Sequence, residues 1–221
     1  MGAVDPKRAG TGYLALPESG TGPGILVLHA WWGLNDFFKS VCDRLATEGF
    51  VALAPDLLNG QVATTVADAE RQLAEANADE LAHLTRSSLW TLREMPITPD
   101  APVGVLGFSM GASMALWLSA RVPANVAATA VFYGGQDIDF ADATSAYLGH
   151  FTEVDADPYV DEDGLALLEA ELHLNELEIA FHRYPGTSHW FFEDDRPEHD
   201  PDAAELAWAR TVEFFHRHLP A

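Results

Sequence analysis

Gly107-Phe108-Ser109-Met110-Gly111 is the segment whose residue types and spacing most directly offer chemistry. Val103 to Phe108 make an apolar, β-compatible run and the small helix formers Ala112 to Ala120 follow it, so the pattern predicts a strand that turns at Ser109 straight into a helix. Such a nucleophile elbow lifts the serine hydroxyl above the end of the sheet, and its glycines leave no Cβ where strand and helix come closest. The helix N-terminus behind Ser109 supplies free N–H groups and a partial positive charge where an oxyanion would form. The chemistry this points to is nucleophilic attack on a carbonyl.

A serine hydroxyl is a poor nucleophile at neutral pH, so an imidazole must take its proton and a carboxylate must orient that imidazole. Nine histidines compete for the role. His83 and His173 fall in helical segments, His150 and His182 in strands, His216 and His218 near the end of the last helix, and His29 reads as packing at a strand end. In serine hydrolases with this elbow the chain order is Ser, acid, His, which leaves His189 and His199 in the loop before the last helix. His189 is chosen because it comes soon after the strand. Glu153, Asp155 and Asp157 crowd the loop where the acid belongs. Asp157 is chosen because the apolar residues of Pro158-Tyr159-Val160 can pin the loop, and Asp155 stays open as the alternative.

The oxyanion donors expected are the backbone N–H groups of Met110 and of Trp31, the latter from the loop after His29. Trp32, Trp190 and Phe191 are expected to line an apolar substrate pocket, although aromatic residues at strand ends also serve simply to pack a core. The His and carboxylate residues between His189 and His199 lack a Cys pair, a His-Glu-x-x-His motif and EF-hand spacing, so no metal is expected. No Gly-x-x-x-x-Gly-Lys phosphate loop occurs either.

These residues need a scaffold that carries them to one edge. Strands are expected at Gly12 to Leu16, Ile25 to His29, Phe50 to Ala54, Val103 to Phe108, Ala127 to Tyr133, Ala146 to Phe151 and Glu178 to Tyr184. Helices are expected at Asn35 to Glu48, over most of Val66 to Met95, after Ser109, near Gly164 to Leu174, and from Asp200 as N-cap with Pro201 at the first helical position to about His218. The alternation predicts an α/β fold with a mostly parallel central sheet and helices on both faces. Ligands bind such sheets beyond the carboxyl ends of the strands, and Ser109 and the loops after His29, Phe151 and Tyr184 all lie there.

The 221 residues suit a single domain over 1–221, with no long linker or internal repeat. The first residues lack an apolar leader core, and no stretch has the length of a membrane span. Thirty-four acidic against 12 basic residues give a formal net charge of −22, with Lys7 and Lys39 the only lysines. Nucleic acid is therefore excluded as a partner for want of a basic face. An acid-rich, lysine-poor surface suits concentrated salt, where screening removes self-repulsion, although it also fits an acidic protein without a salt requirement. Cys42 is the only cysteine and reads as a buried small hydrophobe. The expected setting is cytoplasmic, as a monomer or homodimer.

The chain resembles the dienelactone hydrolase family. The matching pieces are His29-Ala30-Trp31-Trp32-Gly33-Leu34-Asn35, Ala54-Pro55-Asp56-Leu57, the elbow, Tyr133-Gly134-Gly135, Asp157-Pro158-Tyr159-Val160 and Tyr184-Pro185-Gly186-Thr187-Ser188-His189-Trp190-Phe191. The resemblance implies the α/β-hydrolase fold without a large cap domain, and implies Ser109, Asp157 and His189 as the triad. Three departures matter. The family's elbow cysteine is Ser109, the glutamate of the second-strand loop is Ala30, and the arginine that holds a substrate carboxylate corresponds to Glu193, which as a carboxylate would repel an anionic lactone.

The function expected is hydrolysis of small carboxylic esters or lactones through an acyl-enzyme, without a cofactor. Two alternatives stand beside it: a thioesterase or small-peptide hydrolase using the same triad, and a non-catalytic binding module on the same fold.

Overall fold

The computed structural model describes residues 12–153 and 157–220. Among these, seven strands form one sheet in the order β1-β3-β2-β4-β5-β6-β7: β1 Tyr13–Ala15, β2 Gly24–Leu28, β3 Val51–Ala54, β4 Val103–Phe108, β5 Val126–Phe132, β6 Ala146–Thr152 and β7 Ile179–Tyr184. β1 runs antiparallel to β3 and every other neighbouring pair is parallel. The helices are α1 Asp36–Thr47, α2 Val66–Glu75, α3 Ala78–Arg93, α4 Met110–Arg121, α5 Glu162–Leu174 and α6 Pro201–His218.

The period-two alternation of strand side chains divides the core into two layers. Ile25, Val27, Ala52, Leu106 and Phe132 face α1 and α6, which contribute Phe38, Val41, Trp208 and Phe215. Leu26, Leu28, Val51, Val105 and Val131 face α3, α4 and α5, which contribute Leu89, Leu116 and Leu168. β2 to β5 are buried on both sides almost throughout, which is why they read as continuous apolar runs rather than alternating ones.

Elements begin and end within a residue or two of the expected positions, and the side-chain caps account for several starts. Asn35 accepts from the Phe38 N–H, Asp161 from that of Gly164 and Asp200 from that of Ala203. The expected helical stretch after β3 gains one detail. The stretch from Val66 to Met95 is two helices, because Ala76 is extended and Asn77 turns its side chain onto the N–H groups of Asp79 and Glu80 to cap α3.

From β2 the chain passes to β3 on one side, and β4 lies on the other. The crevice at this reversal opens at the carboxyl ends of β2 and β4, so the loop after β2 and the elbow after β4 flank it. No helix among the described residues is long and apolar enough to cross a membrane.

Candidate active site

Ser109 joins β4 to α4 in a conformation non-glycine residues rarely adopt, φ 51° and ψ −112°. A Cβ at Gly107 would collide with the Gly111 carbonyl, and one at Gly111 with the carbonyls of Leu28 and His29. The two glycines thus let α4 start hard against the ends of β2 and β4. The Ser109 N–H donates to the Phe132 carbonyl at 2.9 Å, which ties the elbow to β5. As the first residue of α4, Met110 has an N–H with no acceptor inside the helix. The Trp31 N–H likewise has no acceptor among the described residues.

The loop between β7 and α6 carries His189. Thr187 Oγ1 donates to the Tyr184 carbonyl at 2.7 Å, and Thr152 Oγ1 donates to the Thr187 carbonyl at 2.5 Å, so the ends of β6 and β7 both hold the loop. His189 Nε2 lies 3.0 Å from Ser109 Oγ. Its Nδ1 lies 2.8 Å from each carboxylate oxygen of Asp157. Both side chains are 3% exposed. Donation from Nδ1–H to the carboxylate leaves the Nε2 lone pair to accept the serine proton.

Asp157 is itself fixed, since its Oδ1 also accepts from the N–H groups of Tyr159 and Val160 at 2.9 and 3.2 Å. Tyr159 packs over His189 at 4.9 Å between ring centroids and edge-on to Trp31 at 5.3 Å. Asp155, the other candidate acid, lies outside the described residues. His199 stands apart, its Nδ1 3.1 Å from the Phe191 carbonyl within the same loop. His29 is a buried strut whose Nε2 accepts from the Leu57 N–H at 3.0 Å while its Nδ1 lies 2.7 Å from the Ala30 carbonyl. Burial holds its pKa below the ordinary imidazole range.

A cleft of about 420 Å³ opens over Ser109 and His189, with Trp31, Met110, Met114, Tyr133 and Tyr159 in its wall and Leu73, Ala76 and Leu81 closing the far side. The expected wall of Trp32, Trp190 and Phe191 is corrected here, because all three are buried behind it. Trp190 stacks on Trp31 at 6.0 Å and meets Trp32 edge-on at 5.1 Å. These rings form the support, and Trp31 is the surface a ligand meets.

Two parts of the site escaped the sequence reading. Tyr133 follows β5 with φ 38° and its ring lies 4.8 Å from that of His189. The Tyr133-Gly134-Gly135 run was visible as a resemblance, without a role. The α2–α3 wall left no sequence signal, because alanine-rich helix does not disclose which way it faces.

Glu193 also differs from expectation. It is absent from the cleft wall and 0% exposed, and its Oε1 accepts from the Tyr133 hydroxyl at 2.8 Å. Its Oε2 has no partner among the described residues. Burial, aided by the nearby Asp195, outweighs that hydrogen bond and pushes its pKa up to about 8. At neutral pH it is mostly a neutral acid behind the wall, so it does not repel an anion as expected.

Comparison with known proteins gives the chain relatives in sequence and in fold. A protein of Aquifex pyrophilus, Protein usf, is 33% identical over 216 residues, covering 94% of this chain and 93% of that one. A carboxymethylenebutenolidase of a Pseudomonas species is 28% identical over 233 residues, covering 99% and 95%. The fold matches that of a dienelactone hydrolase-like promiscuous phosphotriesterase from metagenomic libraries, with a TM-score of 0.80 at 21% identity over 95% of this chain and 97% of that one. The family model described as the Dienelactone hydrolase family matches residues 11–219. With that match over almost its whole length, the chain belongs to the dienelactone hydrolase family.

Proposed function

We propose that the protein is a serine hydrolase that cleaves small carboxylic esters or lactones, with Ser109 as nucleophile, His189 as general base and acid, and Asp157 as the group that orients His189. The observation that carries this reading is the continuous line of contacts from Ser109 Oγ to His189 Nε2 at 3.0 Å and from His189 Nδ1 to Asp157 at 2.8 Å. Family membership and the name of the Pseudomonas relative, carboxymethylenebutenolidase, support an ester or lactone as the bond broken.

In this mechanism Ser109 Oγ attacks the carbonyl carbon as its proton passes to His189 Nε2. The negative charge that develops on the carbonyl oxygen is met by the N–H groups of Met110 and Trp31. Asp157 stabilises the imidazolium without taking its proton. His189 then protonates the departing alkoxide, leaving an acyl group on Ser109. Water, deprotonated by His189, attacks that ester and releases the acid, which restores the serine.

No Lys or Arg lines the cleft among the described residues, so an anionic substrate finds no counter-charge there. The reading is therefore a neutral ester or lactone. A cytoplasmic monomer or homodimer completes the reading as its default setting, since the lone buried Cys42 is compatible with either redox compartment.

Labelling with a fluorophosphonate followed by peptide mapping tests the assignment. Modification confined to Ser109, and abolished in His189→Ala, is the expected result. A folded protein that turns over no ester and takes up no label would identify a binding module instead.

A further inference from the structure

We propose that Trp31 and Tyr159 form the subsite for the alcohol half of an open-chain ester, and that this half is an apolar group of the size of a benzyl unit. This rests on the serine-hydrolase reading and names the class of alcohol the site takes. In that reading His189 Nε2 protonates the departing alkoxide, so the alkoxide oxygen must come within hydrogen-bond reach of Nε2. The alcohol therefore leaves past the imidazole ring, along the side chains that cover this ring on the cleft side.

Two tyrosine rings of the cleft wall pack on His189, Tyr133 at 4.8 Å and Tyr159 at 4.9 Å between centroids. They differ in what they offer a ligand. Tyr133 is 0% exposed and its hydroxyl is spent on Glu193, so it seats the imidazole. Tyr159 is 45% exposed, and its ring stands edge-on to Trp31 at 5.3 Å while Trp190 supports both rings from behind. The indole nitrogen of Trp31 is buried away from the cleft, so the part of Trp31 that a ligand meets is carbon. Beside the atom that protonates the leaving group there is thus a two-walled apolar corner, open toward solvent.

The rest of the wall sets the class of alcohol. No Asp, Glu, Lys or Arg lines the cleft among the described residues, so a charged alcohol of either sign would give up water without gaining a partner. The Ser113 hydroxyl, also in the wall, already donates to the Gly135 carbonyl at 2.8 Å. An apolar body gains by covering the two rings, and a ring-shaped one adds the favourable geometry of aromatic pairs. With the alcohol beside His189 and the carbonyl oxygen at the Met110 and Trp31 N–H groups, the acyl half is left the side of the cleft that α4 builds with Ser113 and Met114.

The test adds a phenyl group to methyl acetate on either side of the ester: benzyl acetate carries it on the alcohol, and its isomer methyl phenylacetate carries it on the acid. Each kcat/KM is divided by the rate of that ester with hydroxide, which removes intrinsic reactivity. In the unaltered protein the phenyl group raises kcat/KM by about tenfold on the alcohol side, the scale of half-burying an aromatic side chain, and by no more than about threefold on the acyl side. Tyr159→Ala cuts the alcohol-side gain to about threefold or less and leaves the acyl-side gain in place, whereas Tyr159→Phe keeps both. Any loosening of His189 slows all of these esters alike and cancels in the ratios. A phenyl group that gains nothing on the alcohol side, gains as much on the acyl side, or keeps its full gain in Tyr159→Ala overturns the subsite. The isomer comparison needs no variant, so it decides the matter even where Tyr159→Ala does not fold. Ser109-dependent turnover of p-nitrophenyl acetate is measured alongside: if it persists while the isomers are indifferent, only the subsite falls, and if it is absent, the hydrolase reading falls and the subsite with it.

Discussion

At the scale of single residues, the site divides into groups that act and groups that hold them. Asp157→Asn keeps the shape of the carboxylate but replaces an acceptor with an amide that can favour the wrong imidazole tautomer. The expected outcome is a loss of about 10⁴-fold in kcat with ester binding largely retained, measured by steady-state kinetics on a chromogenic ester. A drop below tenfold would move the orienting role to another acid, Asp155 first. Glu193 makes a different prediction. Its folded pKa of about 8 stands above the ordinary glutamate value of 4.5, so between those pH values the folded protein holds a proton that the unfolded chain has released. Stability is therefore fully present below about 4.5 and falls as pH rises towards 8, by roughly 1.4 kcal/mol per unit. Glu193→Gln preserves an acceptor for the Tyr133 hydroxyl and removes this slope. Urea titrations across that window should show the variant gaining on the parent as pH rises, and parallel curves would disprove the burial argument.

At the scale of elements, placing α4 against the sheet is the critical step. A methyl group at Gly111 meets the Leu28 and His29 carbonyls, which belong to backbone and cannot move aside like a side chain. Gly111→Ala should therefore lose both stability and Ser109 labelling, by more than the roughly 1–3 kcal/mol usual for a packing insertion. A variant with unchanged Tm and labelling would mean that α4 can shift. Much of this level was legible beforehand, since the elbow, the alternation of strands and helices and the Asp200 cap follow from local residue types, whereas the Asn35 and Asp161 caps emerged only in the fold. The break at Ala76-Asn77 was not, because helix-forming residues flank it on both sides and only the Asn77 side chain, choosing backbone N–H groups two and three residues ahead, ends one helix and begins another.

At the scale of the whole molecule, charge dominates. A net charge of −22 on 221 residues repels itself over distances that salt shortens, from a Debye length of about 10 Å at 0.1 M to about 3 Å at 1 M. The ion pairs offer little relief, because Lys39–Asp36, Arg44–Glu205 and Arg217–Glu213 are all substantially exposed. Tm should accordingly rise between 0.1 and 1 M NaCl in a thermal melt followed by circular dichroism. A flat or falling Tm would show that acidity serves solubility alone.

What the sequence determined by itself was the part governed by short-range rules: the alternating α/β pattern, the glycine-framed serine at a strand end, and a histidine in the one loop that chain order allows. Its local logic also singled out Asp157 through the apolar residues that follow it, and the fold brings that carboxylate to 2.8 Å from His189 Nδ1. Only the tertiary structure decided which surfaces face the cleft. It turned Trp31 and Tyr133 toward Ser109, withdrew Trp32, Trp190 and Phe191 behind them, buried Glu193 away from any ligand, and folded α2 and α3 across the opening. Those outcomes depend on how distant aromatic rings and helices share space, and residue type fixes what a side chain prefers to touch without fixing which neighbour it will find.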